Sequence, residues 1–242
     1  MRPLLSIIII NFNYYKFLKK SIQSCTSFYD KYNFFELILI DDGSTDESKD
    51  YIYNLNLPYL KKYYLKNVGI EKAINFAVNE CKGKFFSRLD SDDFLHESFF
   101  HEFKKNIKLF RKYDFLYSNY FLVDKKNKIL KKVYLPLFAK KEIFERGDFL
   151  ASGTILKKNI FLKFGGYNTE VKNCGLENYE LILKIINSGS KGKKINKFLF
   201  SYRRHSKSLS IAKKRSIQKY GDKLFKQLKL GKFKQNLHNP HC

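Results

Sequence analysis

Asp90 and Asp92 are two carboxylates separated by a single serine, and they directly follow the apolar run Lys84–Leu89. Oxygen ligands so spaced can hold Mg²⁺ or Mn²⁺ while a nucleotide diphosphate completes the coordination, and the ion would neutralise charge on a diphosphate leaving group. The same triplet can equally begin a turn, and Asp92 or Asp93 could cap a following helix. Asp41 and Asp42 end a second apolar run, ahead of Gly43, Ser44, Thr45 and Asp46. There Asp42 could accept from a base N–H or a ribose hydroxyl, whereas Asp46 fits a helix cap. Asn11 and Asn13 follow a third run, and Asn67 a fourth.

The elements that must position these groups alternate. Strand-like runs at Leu4–Ile10, Phe35–Ile40, Tyr59–Leu65 and Lys84–Leu89 are separated by helix-like stretches at Tyr15–Ser27, Asp46–Leu55 and Ile70–Cys81. Strict alternation implies right-handed crossovers and a mostly parallel sheet flanked by helices. The C-terminal ends of parallel strands share one edge, where open α/β sheets bind ligands. The polar segments should therefore meet at one carboxylate-rich mouth. Further on, the pattern predicts a helix over His96–Lys112, strands over Tyr113–Val123 and Ile129–Tyr134, and a loop with one helical turn over Pro136–Asp148. A strand at Phe149–Leu156, a short helix at Lys157–Phe164 stopped by Gly165–Gly166, a helix within Cys174–Asn187 and a strand at Ile195–Tyr202 follow. From Ile211, the spacing of Ile217, Tyr220, Leu224 and Leu228 predicts an amphipathic helix, with a poorly ordered tail beyond Gly231.

At 242 residues and 44% apolar content, the chain can bury a substantial core. No apolar run approaches the roughly 18–20 residues of a membrane span, and Met1–Ile10 reads as a first strand rather than a leader. Cys25, Cys81, Cys174 and Cys242 show no paired spacing, which suits free thiols in a reducing cytoplasm. The formal charge is +24, and residues 191–234 hold sixteen Lys/Arg against one acid, Asp222. Such clustering suggests an anionic partner or surface. The abundance of Lys, Asn, Ile, Phe and Tyr without Trp is also what A/T-rich coding yields with no selection for binding.

Four segments in order, SIIIINFNYYKFLKKSIQS (6–24), ELILIDDGSTDES (36–48), NVGIEKAINFAVNECKGKFFSRLDSDDF (67–94) and FGGYN (164–168), resemble the family 2 glycosyltransferases. The resemblance covers most of residues 4–205 and implies the Rossmann-like GT-A fold. It implies inverting transfer of a sugar from a nucleotide-diphosphate donor to an acceptor hydroxyl, usually with Mn²⁺ or Mg²⁺. Residue by residue, it implies nucleotide contacts for Asn11, Asn13, Asp41, Asp42, Asn67, Gly69, Arg88 and Asp90. It gives metal contact to Asp90 and Asp92, with Asp92 the more direct, and to the late histidine His205. Arg203 and Arg204 would touch phosphate or belong to the basic face. Residues 1–210 would form the transferase domain, with a nucleotide half (1–95) and an acceptor half (96–210), and 211–242 a basic helix and tail.

One departure bears on chemistry. The family's Glu-Asp pair, whose Asp is the usual general base, is Glu177–Asn178 here. An amide cannot take a proton at neutral pH, so the resemblance leaves Glu177 and Glu180 as substitutes, each also explicable as a helix N-terminal acid. The expected partners are a nucleotide-sugar donor and a saccharide or lipid-linked saccharide acceptor in surface glycan synthesis. The expected setting is the cytoplasm, with the basic helix either resting on anionic lipid at the inner membrane face or packing on its own domain. Competing readings are a nucleotidyltransferase, a sugar-nucleotide binder with impaired catalysis, and a basic nucleic-acid-binding protein. The first lacks a glycine-rich loop after the first strand, and the last conflicts with the acidic mouth.

Overall fold

The chain is described from a computed structural model, covering residues 2–150, 152–205, 208 and 213–233. Its first half follows the expected alternation: β1 (Leu5–Asn11), α1 (Tyr15–Thr26), β2 (Phe35–Asp41), α2 (Ser48–Asn54), β3 (Leu60–Tyr64), α3 (Ile70–Glu80) and β4 (Phe85–Asp90). Strands β3, β2, β1 and β4 lie side by side and parallel. Every residue of β1 and β2 is buried, as their near-continuous Leu and Ile runs require of strands covered on both faces. The register sets Asn11 opposite Asp41, Ile10 opposite Asp90, and Asp41 opposite Tyr64. The polar groups after these strands therefore leave the sheet at one edge.

The second half widens the sheet and makes it mixed. It contains β5 (Phe94–Leu95), α4 (Glu97–Asn106), β6 (Phe115–Val123), β7 (Ile129–Val133), α5 (Lys140–Arg146), β8 (Ile155–Lys157), α6 (Lys158–Lys163), α7 (Glu177–Asn187), β9 (Gly192–Arg203) and α8 (Lys214–Gln227). The strand order is β3-β2-β1-β4-β8-β6-β9-β5, with β7 on the outer part of β6. Short β8 runs antiparallel between β4 and β6, while β9 runs parallel to β6.

Three elements differ from the sequence reading. The expected strand at Phe149–Leu156 shrinks to Ile155–Lys157, because the preceding residues cross the strand ends instead of pairing along them. Asp90 N donates to Ser152 Oγ (3.0 Å), and Gly153 N donates to Arg88 O (3.0 Å). The long fourth helix tightens into a 3₁₀ turn at Ile107–Arg111. In α8 the expected apolar stripe loses Leu228, which follows the helix end and is exposed, while Ile217, Tyr220, Leu224 and Phe225 are buried in the same core as the sheet. Its Lys214, Arg215, Lys219, Lys223 and Lys226 stay exposed. Ile211 and residues 234–242, with Cys242, lie outside the described residues, whereas Phe233 is buried. Cys25, Cys81 and Cys174 are free and buried, and no described helix is long and apolar enough to cross a membrane.

Gly165 and Gly166 close α6 with positive φ (77° and 69°). Asn75 on α3 reads the turn through two bonds, Nδ2 donating to Tyr167 O (2.8 Å) and Oδ1 accepting from Tyr167 N (2.9 Å). A Cβ on Gly166 would sit 2.6 Å from Asn75 Oδ1. Gly166→Ala combines left-handed strain of about 1–2 kcal/mol with loss of that seat. The expected result is an unfolding free energy, measured by urea denaturation, lowered by at least that amount, with Gly165→Ala, whose Cβ meets nothing, showing the strain alone.

Candidate functional site

The strand ends open onto a cleft of about 370 Å³. Phe12 and Tyr14 from the β1–α1 loop, Asp42, Asn67, Arg88, Asp90, Ser91 and Asp92 line one part of it. Asp148, Ser152, Tyr167, Glu177 and Asn178 line the facing part, and Ile217 and Phe233 from the C-terminal segment complete the wall. The expected convergence therefore holds for Asp42, Asn67, Arg88, Asp90, Asp92 and Glu177.

Asn11, Asn13 and Asp41 do not line the cleft but tie together the loops beside it. Asn11 Nδ2 donates to Asp41 Oδ1 (3.3 Å) and Ser44 Oγ (3.0 Å), and Asp41 Oδ2 accepts from Ser44 N (3.0 Å). Asn13, at φ 59°, accepts from the backbone of Thr45 (2.7 Å) and Asp46 (3.3 Å). These residues staple the β1 and β2 loops together. Asp46 caps as expected, accepting from Tyr15 N and Ser48 N at 3.0 Å each, so it serves the starts of two helices. Asp42 reaches the cleft but spends Oδ1 on Val68 N (2.7 Å) and Oδ2 on Gly69 N (2.9 Å). The positive φ of Gly69 (93°) and Asn67 (51°) turns that loop across the cleft. Lys172 Nζ fastens it from the other side by donating to Asn67 O.

Arg88 joins the two walls. Its Nε donates to Asp90 Oδ1 (2.6 Å) and its Nη1 to Glu177 Oε1 (2.8 Å). Burial would favour a neutral guanidine, yet Asp90 and Glu177 hold the guanidinium firmly charged. Glu177 opens α7, and the loop before it is fixed by buried Glu71, whose carboxylate accepts from Asn173 N (2.8 Å) and Cys174 N (2.7 Å). Glu71, Cys174 and Glu177 offer ligand atoms within 4.8 Å of one another. Both Glu71 oxygens are already engaged, and burial followed by the Glu177 charge pushes the Cys174 thiol well up. The trio is a packing knot with a protonated thiol rather than a metal centre.

Beyond Arg88 lies a different donor set. Asp92 Oδ2 and His205 Nε2 are 2.9 Å apart, with Tyr14 and Phe17 rings against the imidazole. Neighbouring ligands of an octahedral ion at about 2.1 Å lie about 3 Å apart, so one carboxylate oxygen and one imidazole nitrogen here are spaced to share Mg²⁺ or Mn²⁺. Buried Asp93 reports the crowding: burial, then the charges of Asp92 and Asp90, lift its carboxyl well above the ordinary range. A cation beside Asp92 would relieve that charge, so the residues fit a divalent ion. Arg203 does not face phosphate. It is buried, with N bonded to Asp93 Oδ1 (2.8 Å) and Nε to Asp92 O (2.6 Å), and it fixes the acidic turn from behind. Arg204 is exposed.

Glu180 does not reach the cleft. One turn beyond Glu177, its Oε2 accepts from Tyr220 OH (2.7 Å), and its Oε1 contacts Asn168 Nδ2 (3.3 Å) and Lys184 Nζ (3.2 Å). It anchors α8, so it cannot replace the missing base. Asn178 does face the cleft and is paired with Asp148, which the sequence pattern places in a loop. Nothing local to Asp148 marks it, because its partner lies thirty positions away. Tyr167, inside the FGGYN segment, is a second omission, and its position next to the glycine pair was the available signal.

Residues 6–161 match the family described as glycosyl transferase family 2. The chain is 28% identical over 224 residues to Escherichia coli chondroitin synthase, covering 90% of this chain and 31% of that protein. It is 33% identical over 130 residues to an uncharacterized glycosyltransferase of Rickettsia bellii, covering 53% of this chain and 19% of that one. The chain thus spans less than a third of either relative. To the E. coli O-antigen biosynthesis glycosyltransferase WbnJ it is 26% identical over 220 residues, covering 85% of this chain and 81% of the relative. Among solved structures, residues 1–349 of S. aureus TarS in complex with UDP-GlcNAc superpose with a TM-score of 0.73 at 17% identity. That match covers 97% of this chain and 68% of the other and shows the shared GT-A fold.

If Glu180 is an anchor, Glu180→Gln and Tyr220→Phe should each destabilise the fold by about 1–2 kcal/mol. The double variant should cost clearly less than the sum, as expected for partners in one bond. Chemical denaturation measures this, and nucleotide affinity should not move.

Proposed function

The chain belongs to glycosyl transferase family 2, and from that premise we propose that it transfers a sugar from a nucleoside diphosphate donor to a saccharide hydroxyl, with inversion at the anomeric carbon. The observation that carries this reading is the cleft in which Asp90, Asp92 and neighbouring His205 stand across from the first turn of α7. Asp92 and His205 would hold Mg²⁺ or Mn²⁺, with Asp90 beside them. When bound, the ion offsets charge on the departing diphosphate. Phe12, Tyr14 and Asn67 line the route by which a nucleoside would lie along the strand ends, and Asp42 keeps that wall in place.

The UDP-GlcNAc named for the TarS structure makes a UDP-sugar the first donor to test. Chondroitin synthase and the O-antigen enzyme support a role in polysaccharide assembly, with a free or lipid-linked glycan as acceptor. Because α8 commits its apolar face to the core, contact with an anionic membrane at the cytoplasmic face would rest on its exposed lysine and arginine side chains.

Calorimetric titration with UDP and other nucleoside diphosphates, with Mn²⁺ and then EDTA, tests the reading. One nucleotide should bind with Mn²⁺ and lose at least about tenfold in affinity with EDTA, and Asp92→Ala should abolish the metal dependence while remaining folded. No binding by folded protein across the series, or an unchanged response in Asp92→Ala, would contradict the site.

A further inference from the structure

We propose that Asp148, in the loop after α5, is the general base that takes the proton of the attacking acceptor hydroxyl; this deepens the transferase reading and rests on it. Three observations lead there. First, Asp148 lines the cleft and is partly exposed, on the side of Glu177 and Asn178. Second, its carboxylate is fixed by neutral donors alone. Leu150 N donates to Oδ1 (3.0 Å), and Asn178 Nδ2 lies 3.0 Å from each oxygen. Asn178 is itself oriented, because its Oδ1 accepts from Tyr167 OH (3.2 Å) and its Nδ2 also donates to Leu150 O. The amide thus turns its donor edge to Asp148 and holds the carboxylate in place.

Third, the other cleft carboxylates are occupied. Asp42 serves two backbone amides, and Asp90 and Glu177 share Arg88. Asp92 belongs with His205. Asp90 or Glu177 could turn toward an acceptor only by breaking the Arg88 bridge that joins the two walls. Among the described residues, Asp148 forms no ion pair.

Its basicity fits the task. Burial raises its pKa to about 7, against the lowering effects of the Asn178 and Leu150 bonds; the Glu177 charge raises it further and Arg88 lowers it. The remaining titratable neighbours are Tyr167 and Tyr179, whose phenols burial pushes far up, so both stay neutral. A base with a pKa near the working pH combines a useful ionised fraction with real proton affinity. In the step, the acceptor oxygen bonds to the anomeric carbon while the bond from that carbon to the β-phosphate oxygen breaks. The electron pair leaves with the nucleoside diphosphate, and the hydroxyl proton passes to an Asp148 oxygen.

The test uses the full chain and a panel of UDP-sugars with Mn²⁺. UDP release is followed with water as the simplest acceptor and again with added oligosaccharides, and UDP affinity is measured separately. Asp148→Asn should lower kcat by about 10²–10⁴-fold, with UDP affinity and donor KM within about threefold of wild type. The exchange D148N/N178D returns a carboxylate to the opposite partner of the same pair and should recover at least about tenfold over Asp148→Asn. Wild-type kcat should rise with pH to half its maximum near pH 7, because the ionised base is the active form and is lost as pH falls. Near-wild-type kcat in Asp148→Asn, or a loss of UDP binding that accounts for its lost activity, would overturn the assignment. Wild-type protein that binds UDP but releases it from no donor would also count against the base. Failure of wild type to bind any nucleotide would instead remove the transferase reading itself, and the base with it.

Discussion

The guanidinium of Arg88, held between Asp90 and Glu177, is the contact on which the cleft depends. Asp90 ends a central parallel strand, whereas Glu177 begins a helix nearly ninety residues later. Without a cation between them, two carboxylates would face each other across a poorly solvated gap, where repulsion and desolvation reinforce one another. With it, the strand edge and the first turn of α7 become one rigid frame. The Glu71 knot sets the height of α7 from behind, and Glu180 ties its outer side to α8.

Seen this way, the carboxylates at the mouth sort by partner. Those that meet backbone amides or a guanidinium hold loops: Asp41, Asp42 and Asp46 close the β1 and β2 turns, and Asp90 and Glu177 close the cleft floor. Among the described residues, Asp92, beside an imidazole, and Asp148, held by Leu150 N and the Asn178 amide, pair with no guanidinium or lysine. Both kinds of carboxylate look alike as letters. The surroundings decide whether the group is a fastener or a reagent: at Asp148, burial outweighs the bonds from Asn178 and Leu150 and raises its proton affinity.

This explains what the sequence could reveal. Strand ends were legible because β1 and β2 are continuous apolar runs buried on both faces, and a parallel register then carries Asn11, Asp41 and Asp90 to one edge. The roles of individual groups were less legible, since they depend on long-range partners. Asn11 and Asn13 sit at the mouth in sequence but turn their amides into Ser44, Thr45 and Asp46. Glu180 shares a helical side with Glu177 over one turn, yet α8 lies against it and removes it from the cleft. The strand expected at Phe149–Leu156 failed because Ser152 and Gly153 bond to β4 across its end. In the C-terminal helix the expected period held at Ile217, Tyr220 and Leu224, which with Phe225 pack it on its own domain.

The central claim is that one cleft holds a divalent ion against Asp92 and His205 beside a nucleotide diphosphate. Its most direct measurement is an anomalous difference map from crystals grown with Mn²⁺ and UDP. The expected result is a single strong peak within about 2.3 Å of an Asp92 carboxylate oxygen and His205 Nε2, with diphosphate density completing the shell. A peak at Glu71, Cys174 and Glu177 instead, or ordered UDP in the cleft with no metal beside Asp92, would contradict it.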